Sequence, residues 1–143
     1  MDALAIRAAT ADDEPAVVAL WRDAGLVVPH NDPAADFRFA RGGPASDVLV
    51  GTAPDGTLVG AVMVGHDGHR GWLYYLAAAS HARRVGIGRA LVRAAEAWLA
   101  GRGVPKAMLM VRDTNTQVLA FYERLGFAAS PVVVMQRWLT PDG

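Results

Sequence analysis

The run Arg83-Arg84-Val85-Gly86-Ile87-Gly88-Arg89-Ala90 follows an apolar, strand-like stretch and opens an amphipathic helix, so it demands a tight strand-to-helix turn. Its two glycines let backbone N–H groups approach an anion closely. The first turn of the new helix presents unpaired N–H groups at the positive end of its dipole, and the flanking arginines add formal charge. The segment therefore predicts a cradle for a phosphorylated ligand; a plain connection between strand and helix is the alternative reading of the same glycines. Gly88 is followed by Arg89-Ala90 rather than the Lys-Ser/Thr of a phosphate-binding loop. Leu91 stands where a dinucleotide fingerprint needs a third small residue, so neither of those signatures fits.

The rest of the chain punctuates around this turn. Leu4, Ile6 and Ala8 alternate like a short strand, and Thr10 with Asp13 forms a capping box for a helix reaching Ala24, with Val17, Leu20 and Trp21 on one face. Asp32-Pro33 is a cap followed by proline, which starts a second helix through Phe37 and Arg41. Residues 48–53 and 58–65 flank Asp55-Gly56 as a hairpin. A turn at 67–71 leads into a strand over 72–78. After the glycine-rich turn, Leu91, Ala94, Ala95 and Trp98 share a helix face. A strand over 107–111, a helix over 117–125 and a last strand over 132–138 complete one α/β (α+β) domain without repeats.

Composition narrows the function classes. The 143 residues are 52% hydrophobic, enough for one real core, and the formal net charge is zero. No global field then favours nucleic acid or an anionic membrane, and neither is expected as a partner. Without cysteine there is no disulfide, thiol nucleophile or cysteine-ligated metal. The first residues lack a basic region followed by a long apolar run, so no signal peptide or membrane span is expected, and the cytoplasm is the predicted compartment. His66, Asp67 and His69 do not make a metal ligand set, and no metal is expected.

Downstream lies Asn115-Thr116-Gln117-Val118-Leu119-Ala120-Phe121-Tyr122-Glu123-Arg124-Leu125-Gly126-Phe127. Together with Arg83-x-x-Gly86-x-Gly88, and in the order strand, glycines, helix, strand, asparagine, this resembles the two core motifs of the GNAT N-acetyltransferase superfamily. Asn31-Asp32-Pro33, Asp67-Gly68-His69-Arg70-Gly71 and Pro105-Lys106 are most similar to the small bacterial YpeA-like acetyltransferases. The resemblance implies a GNAT fold: a mixed, V-splayed sheet of six to seven strands with about four helices, opening between the strands at 72–78 and 107–111. It implies acetyl-CoA as co-substrate, with pantetheine paired to backbone groups of Leu76, Ala77 and Ala78. The pyrophosphate would be held by N–H groups of Arg84, Val85, Gly86, Ile87, Gly88 and Arg89, with Arg83 also among the cofactor-binding residues. Asn115 would contact the cofactor; capping the last helix is its other role, and both can hold. Arg89 and Arg93, four apart on a helix, repel unless an anion or Glu96 lies nearby.

Acetyl transfer from a thioester needs a neutral amine, stabilisation of the oxyanion and a proton for the departing thiolate. The resemblance puts Tyr122 beside the sulfur, where a phenol of ordinary pKa about 10 stays protonated at neutral pH and donates. A core aromatic beside Phe121 is the structural alternative. A lysine-like amine is almost wholly protonated at pH 7, and its neutral form costs about 4.6 kcal/mol. Superfamily members that acetylate ribosomal-protein N-termini carry a glutamate in a Leu-Glu-Val-Arg pattern, whereas this chain reads Leu109-Met110-Val111-Arg112. Met110 takes no proton, so ordered water or a less basic amine must serve.

Two polar turns are the acceptor-side candidates: Asn31 and Asp32 between the first helices, and His69 and Arg70 before the cofactor strand. Arginine suits a carboxylate or phosphate, and histidine can take a proton; ordinary turn chemistry accounts for the same residues. Tyr74 and Tyr75, adjacent on a strand, are expected on opposite faces. The expected activity is acetylation of a primary amine on a small molecule or a protein, with a non-catalytic acyl-CoA-binding module as the rival. Edge strands and the apolar final segment permit a homodimer.

Overall fold

The computed structural model describes residues 4–81 and 86–140. The chain divides into two compact units, Met1–Leu109 and Met110–Gly143. In the first, β1 (Ala5–Ala8), a 3-10 turn (Ala11–Asp13), α1 (Glu14–Asp23), α2 (Pro33–Ala40), β2 (Ser46–Thr52), β3 (Leu58–His66), β4 (Gly71–Ala78), α3 (Ile87–Ala100) and β5 (Ala107–Met108) follow in order. The strands form one five-stranded sheet, β1-β2-β3-β4-β5, antiparallel except for the β4–β5 pair. The second unit contains α4 (Thr116–Arg124).

The capping box forms, but it starts a 3-10 turn that runs into α1 one turn later. The Thr10 N–H donates to Asp13 Oδ2 at 2.7 Å, and Arg7 grips the same carboxylate through both terminal nitrogens, at 2.7 and 3.0 Å. That hydrogen-bonded arginine is the main reason the Asp13 carboxyl is held down at about 2. Asp32 caps α2 by accepting from the Ala35 N–H at 3.0 Å, with Pro33 in the first turn. Arg38 of α2 then clamps Glu14 of α1 at 2.8 and 2.7 Å.

Both faces of the sheet are covered, so β2 and β3 read as nearly continuous apolar runs. Trp21 of α1 and Phe37 of α2 pack edge-to-face over Val48, Val50, Ala61 and Ala77. The opposite face belongs to α3, which buries Ile87, Leu91, Val92, Ala95 and Leu99. It lies so close that a Cβ on Gly60 would sit 2.6 Å from Ile87 Cγ2 and 2.7 Å from Leu91 Cδ1, and one on Gly71 would sit 2.5 Å from Leu99 Cδ1. Two glycines in two strands thus admit one helix.

Three expectations need correction. The sheet has five strands rather than six or seven, because residues 132–138 form no strand among the described residues. That segment exposes Val132, Val133, Val134 and Met135, and β-branched propensity without a ladder partner makes no strand. The strand over 107–111 shrinks to Ala107–Met108, paired with Gly71 and Trp72. Finally, β4 carries a bulge. Met63 pairs with Tyr74 and Ala61 with Ala77, so Tyr75 and Leu76 stand opposite the single residue Val62.

Gly60→Val places branched carbons against Ile87 and Leu91 and should cost about 1–3 kcal/mol, read as a lower denaturation midpoint. Asp13→Asn should destabilise by about 1 kcal/mol after allowance for solvent screening. Since the folded carboxyl titrates below its unfolded value, that difference is full above about pH 4 and fades toward pH 2. Chemical denaturation of both proteins across this range checks it.

Candidate active site

The ladder between β4 and β5 ends at Trp72, yet β4 runs on to Ala78. Among the described residues, the edge from 73 to 78 on that side has no strand partner. Backbone donors and acceptors of Leu76, Ala77 and Ala78 therefore lie on an open strand edge, which an extended, amide-rich ligand can pair with. Beyond β4 the chain reaches Gly86, the N-cap of α3, in the left-handed region with φ 78°. A Cβ there would meet nothing within 4 Å, so conformation rather than crowding requires the glycine.

The first intrahelical bond of α3 runs from the Ala90 N–H to Gly86 O. The N–H groups of Ile87, Gly88 and Arg89 thus have no partner within the helix, and its first turn holds no acidic residue. These features suit a phosphate-bearing cofactor with an amide arm. Arg83, Arg84 and Val85 lie outside the described residues. Arg93 donates to Glu96 at 2.7 Å, which answers the predicted clash with Arg89 from within the helix.

The bulge builds the other part of the site. Tyr75 is the one non-glycine among the described residues with positive φ, 57°, a conformation that costs an aromatic residue about 1–3 kcal/mol. Its ring stacks on the buried Trp21, centroids 4.2 Å apart and planes 19° apart, and its hydroxyl donates to Asp36 Oδ2 at 2.6 Å. Burial, then the hydrogen bond to Asp36, raises the Tyr75 phenol well above its ordinary range; Asn31 contributes a smaller, opposing hydrogen bond. Trp21 Nε1 is buried without a hydrogen-bond partner among the described residues.

The bulge also overturns the expectation about the paired tyrosines. Tyr74 sits opposite Met63, on the face of Ala61 and Ala77, and Tyr75 packs on Trp21 in the cluster those alanines line. Both tyrosines therefore share one face, because the extra residue breaks strict alternation. Tyr74 is 42% exposed and stacks with Trp72 at 6.3 Å and 20°.

Asn31 and Asp32 are thus gathered beside Tyr75, whereas His69 and Arg70 belong to a hydrogen-bonded turn. The Arg70 and His69 N–H groups both donate to Asp67 Oδ1 at 2.8 Å, and with Trp72 they hold that carboxyl below its usual range. Arg70 Nη1 turns back to His69 O at 3.0 Å. Asp36 was missed, although its spacing of four from Asp32 on a helix was a legible sign of two carboxylates on one face. Tyr75 was missed as a polar contact because nothing local announces a bulge.

In the second unit, Asn115 Oδ1 accepts from the Val118 N–H at 3.3 Å and caps α4. Tyr122 lies between Phe121 and Phe127, edge-to-face at 5.0 and 5.6 Å, and burial alone pushes its phenol up to about 12.

The profile of the Acetyltransferase (GNAT) family matches residues 9–127, a span that takes in both units. An acetyltransferase of Pectobacterium atrosepticum is 38% identical over 138 residues, 96% of each chain. One of Yersinia pseudotuberculosis is 36% identical over 137 residues, again 96% of each. The fold is similar to that of AAC(6')-Iy in complex with the bisubstrate analogue CoA-S-monomethyl-acetylneamine, with TM-score 0.82 and 16% identity over 96% of this chain and 99% of that one. It is also similar to the aminoglycoside acetyltransferase meta-AAC0020 from an uncultured soil metagenomic sample in complex with sisomicin, with TM-score 0.80 and 17% identity over 97% of both chains. An open strand edge, a glycine-capped helix and full-length similarity to acetyltransferases agree, and the chain belongs to the GNAT acetyltransferase family.

Proposed function

We propose that this chain, acting as one catalytic domain, transfers the acetyl group of acetyl-CoA directly to a primary amine of a small molecule or a protein. The open β4 edge leading to the Gly86-capped start of α3 is the observation that carries this reading. Backbone groups at Leu76, Ala77 and Ala78 would bind pantetheine, and the N–H groups of Ile87, Gly88 and Arg89 the pyrophosphate. Arg83, Arg84 and Val85 complete that cradle by the family pattern. Bound CoA supplies the thioester; the protein supplies position and protons. The amine nitrogen attacks the thioester carbonyl, the C–N bond forms, the C–S bond breaks, the nitrogen loses a proton and the sulfur gains one.

Tyr122 is the proposed donor to that sulfur, with Asn115 contacting the cofactor. A phenol near 12 is a weaker acid than a thiol near 8.5, so Tyr122 stabilises the departing thiolate by hydrogen bonding more than by surrendering its proton. Met110 offers no base, which leaves water or the acceptor's own acidity to release the amine. The cytoplasm is the proposed setting, and a homodimer the proposed assembly permitted by the apolar final segment.

Release of CoA from acetyl-CoA, followed with a thiol reagent over amino acids, polyamines, aminoglycosides and peptides, tests the activity, and a cysteine-free protein adds no thiol background. Amine-dependent release is expected. Intact acetyl-CoA binding with no release across the panel would favour the acyl-CoA-binding module. Tyr122→Phe should lower kcat by about 10–100-fold with little change in acetyl-CoA affinity. Because a raised phenol stays protonated until its own pKa, the Tyr122-dependent part of kcat should hold level from pH 8 to 10 and decline only toward 12; a pH profile of both proteins measures this.

A further inference from the structure

We propose that Tyr75 is a positioning residue for the cofactor: through its hydrogen bond to Asp36 it ties α2 to the β4 bulge and holds the strand edge in the register that presents Ala78 to pantetheine. This rests on the acetyl-CoA reading and adds to it a residue that acts through its neighbours. Two backbone hydrogen bonds show what the bulge does to the edge. Gly71 and Ala79 are an even number of residues apart, so the alternation of a regular strand would aim their N–H groups to the same side. Instead, the Gly71 N–H donates to Lys106 O, just before β5, and the Ala79 N–H donates to Val59 O in β3, both at 2.8 Å. The extra residue, with Tyr75 and Leu76 opposite Val62, makes the reversal. Ala78 therefore turns its N–H and C=O away from β3, to the side where the β5 ladder has already ended at Trp72. Without the bulge those groups would face β3.

Tertiary contacts at Tyr75 hold the bulge, because its φ of 57° is one that a bulky residue resists. The ring stacks on buried Trp21 of α1, and the hydroxyl donates to Asp36 Oδ2 at 2.6 Å, with Asn31 bonded to the same hydroxyl. α2 packs chiefly on α1, β2 and β3, and the Tyr75–Asp36 bond is its reach into β4. The helix is itself anchored at both of its flanks. Asp32 caps it through the Ala35 N–H at 3.0 Å, and Arg38 is clamped to Glu14 at 2.8 and 2.7 Å. A fixed carboxylate thus steadies a strained strand residue shortly before the backbone groups that the cofactor would use.

Calorimetric titration with acetyl-CoA compares the native chain with three variants. Tyr75→Phe keeps the ring on Trp21 and removes the donor, Asp36→Ala removes the acceptor, and Asp36→Asn retains one. Losing a hydrogen bond to a charged group should weaken acetyl-CoA binding about tenfold in Tyr75→Phe and in Asp36→Ala, while Asp36→Asn stays within about threefold of the native chain. The double variant Tyr75→Phe with Asp36→Ala should bind no more weakly than either single one, because both remove the same bond. In turnover, KM for acetyl-CoA rises and kcat changes little. Hydrogen exchange of the cofactor-free protein gives a readout independent of binding: the Ala79 amide, held by Val59 O, should exchange about tenfold faster in Tyr75→Phe, with the amides of β2 unchanged. Unchanged exchange at Ala79 would overturn the proposal, as would faster exchange throughout the sheet with acetyl-CoA affinity intact, the mark of a merely structural bond. A native chain that binds no acetyl-CoA would overturn the acetyltransferase reading and this one together. Native binding that Tyr75→Phe leaves unaltered would overturn this one alone.

Discussion

The contact between α3 and the sheet is the constraint on which the first unit depends. Gly60 and Gly71 remove the two Cβ atoms that would hold the helix off β3 and β4, and Ile87, Leu91 and Leu99 take the space. Close packing of this kind has little tolerance for added volume. It also fixes where the helix begins: Ile87 and Leu91, which meet Gly60, lie in the first turns of α3, directly after the Gly86 cap. The anion-ready end of α3 is therefore held in place by core packing, and any phosphate-bearing ligand meets a helix terminus that does not need to be ordered first.

The second constraint is the extra residue in β4. An aromatic residue in the left-handed region is unfavourable by itself, and the strain is offset by a stacked indole and a short hydrogen bond to a carboxylate. The consequence is chemical as well as geometric. A strand that should show its tyrosines on opposite faces shows both on one, beside the start of α2 where Asp32 and Asp36 lie. The two aspects of this one strand therefore differ: the open edge of β4 offers backbone groups, while its face offers side chains.

The two structural neighbours share the fold at 16% and 17% identity, a level at which architecture is retained and pocket chemistry is free to change. The open edge of β4 and the start of α3 are made of backbone geometry, which many sequences can reproduce. The face of β4 depends instead on particular side chains held at a bulge, Tyr75 with Trp21 and Asp36.

The sequence by itself determined the turn, the caps and the order of elements. Gly86 at a left-handed N-cap, Thr10 with Asp13, and Asp32-Pro33 are local devices whose physics is complete within a few residues, so they were legible, as was the family. Tertiary structure alone decided the rest. The bulge arises from pairing with β3 and is paid for by Trp21, fifty-four positions away from Tyr75 by number, and by Asp36; no window of local sequence contains all three. Strand formation at 132–138 failed for the same reason, since β-propensity needs a partner edge that only the folded chain can supply.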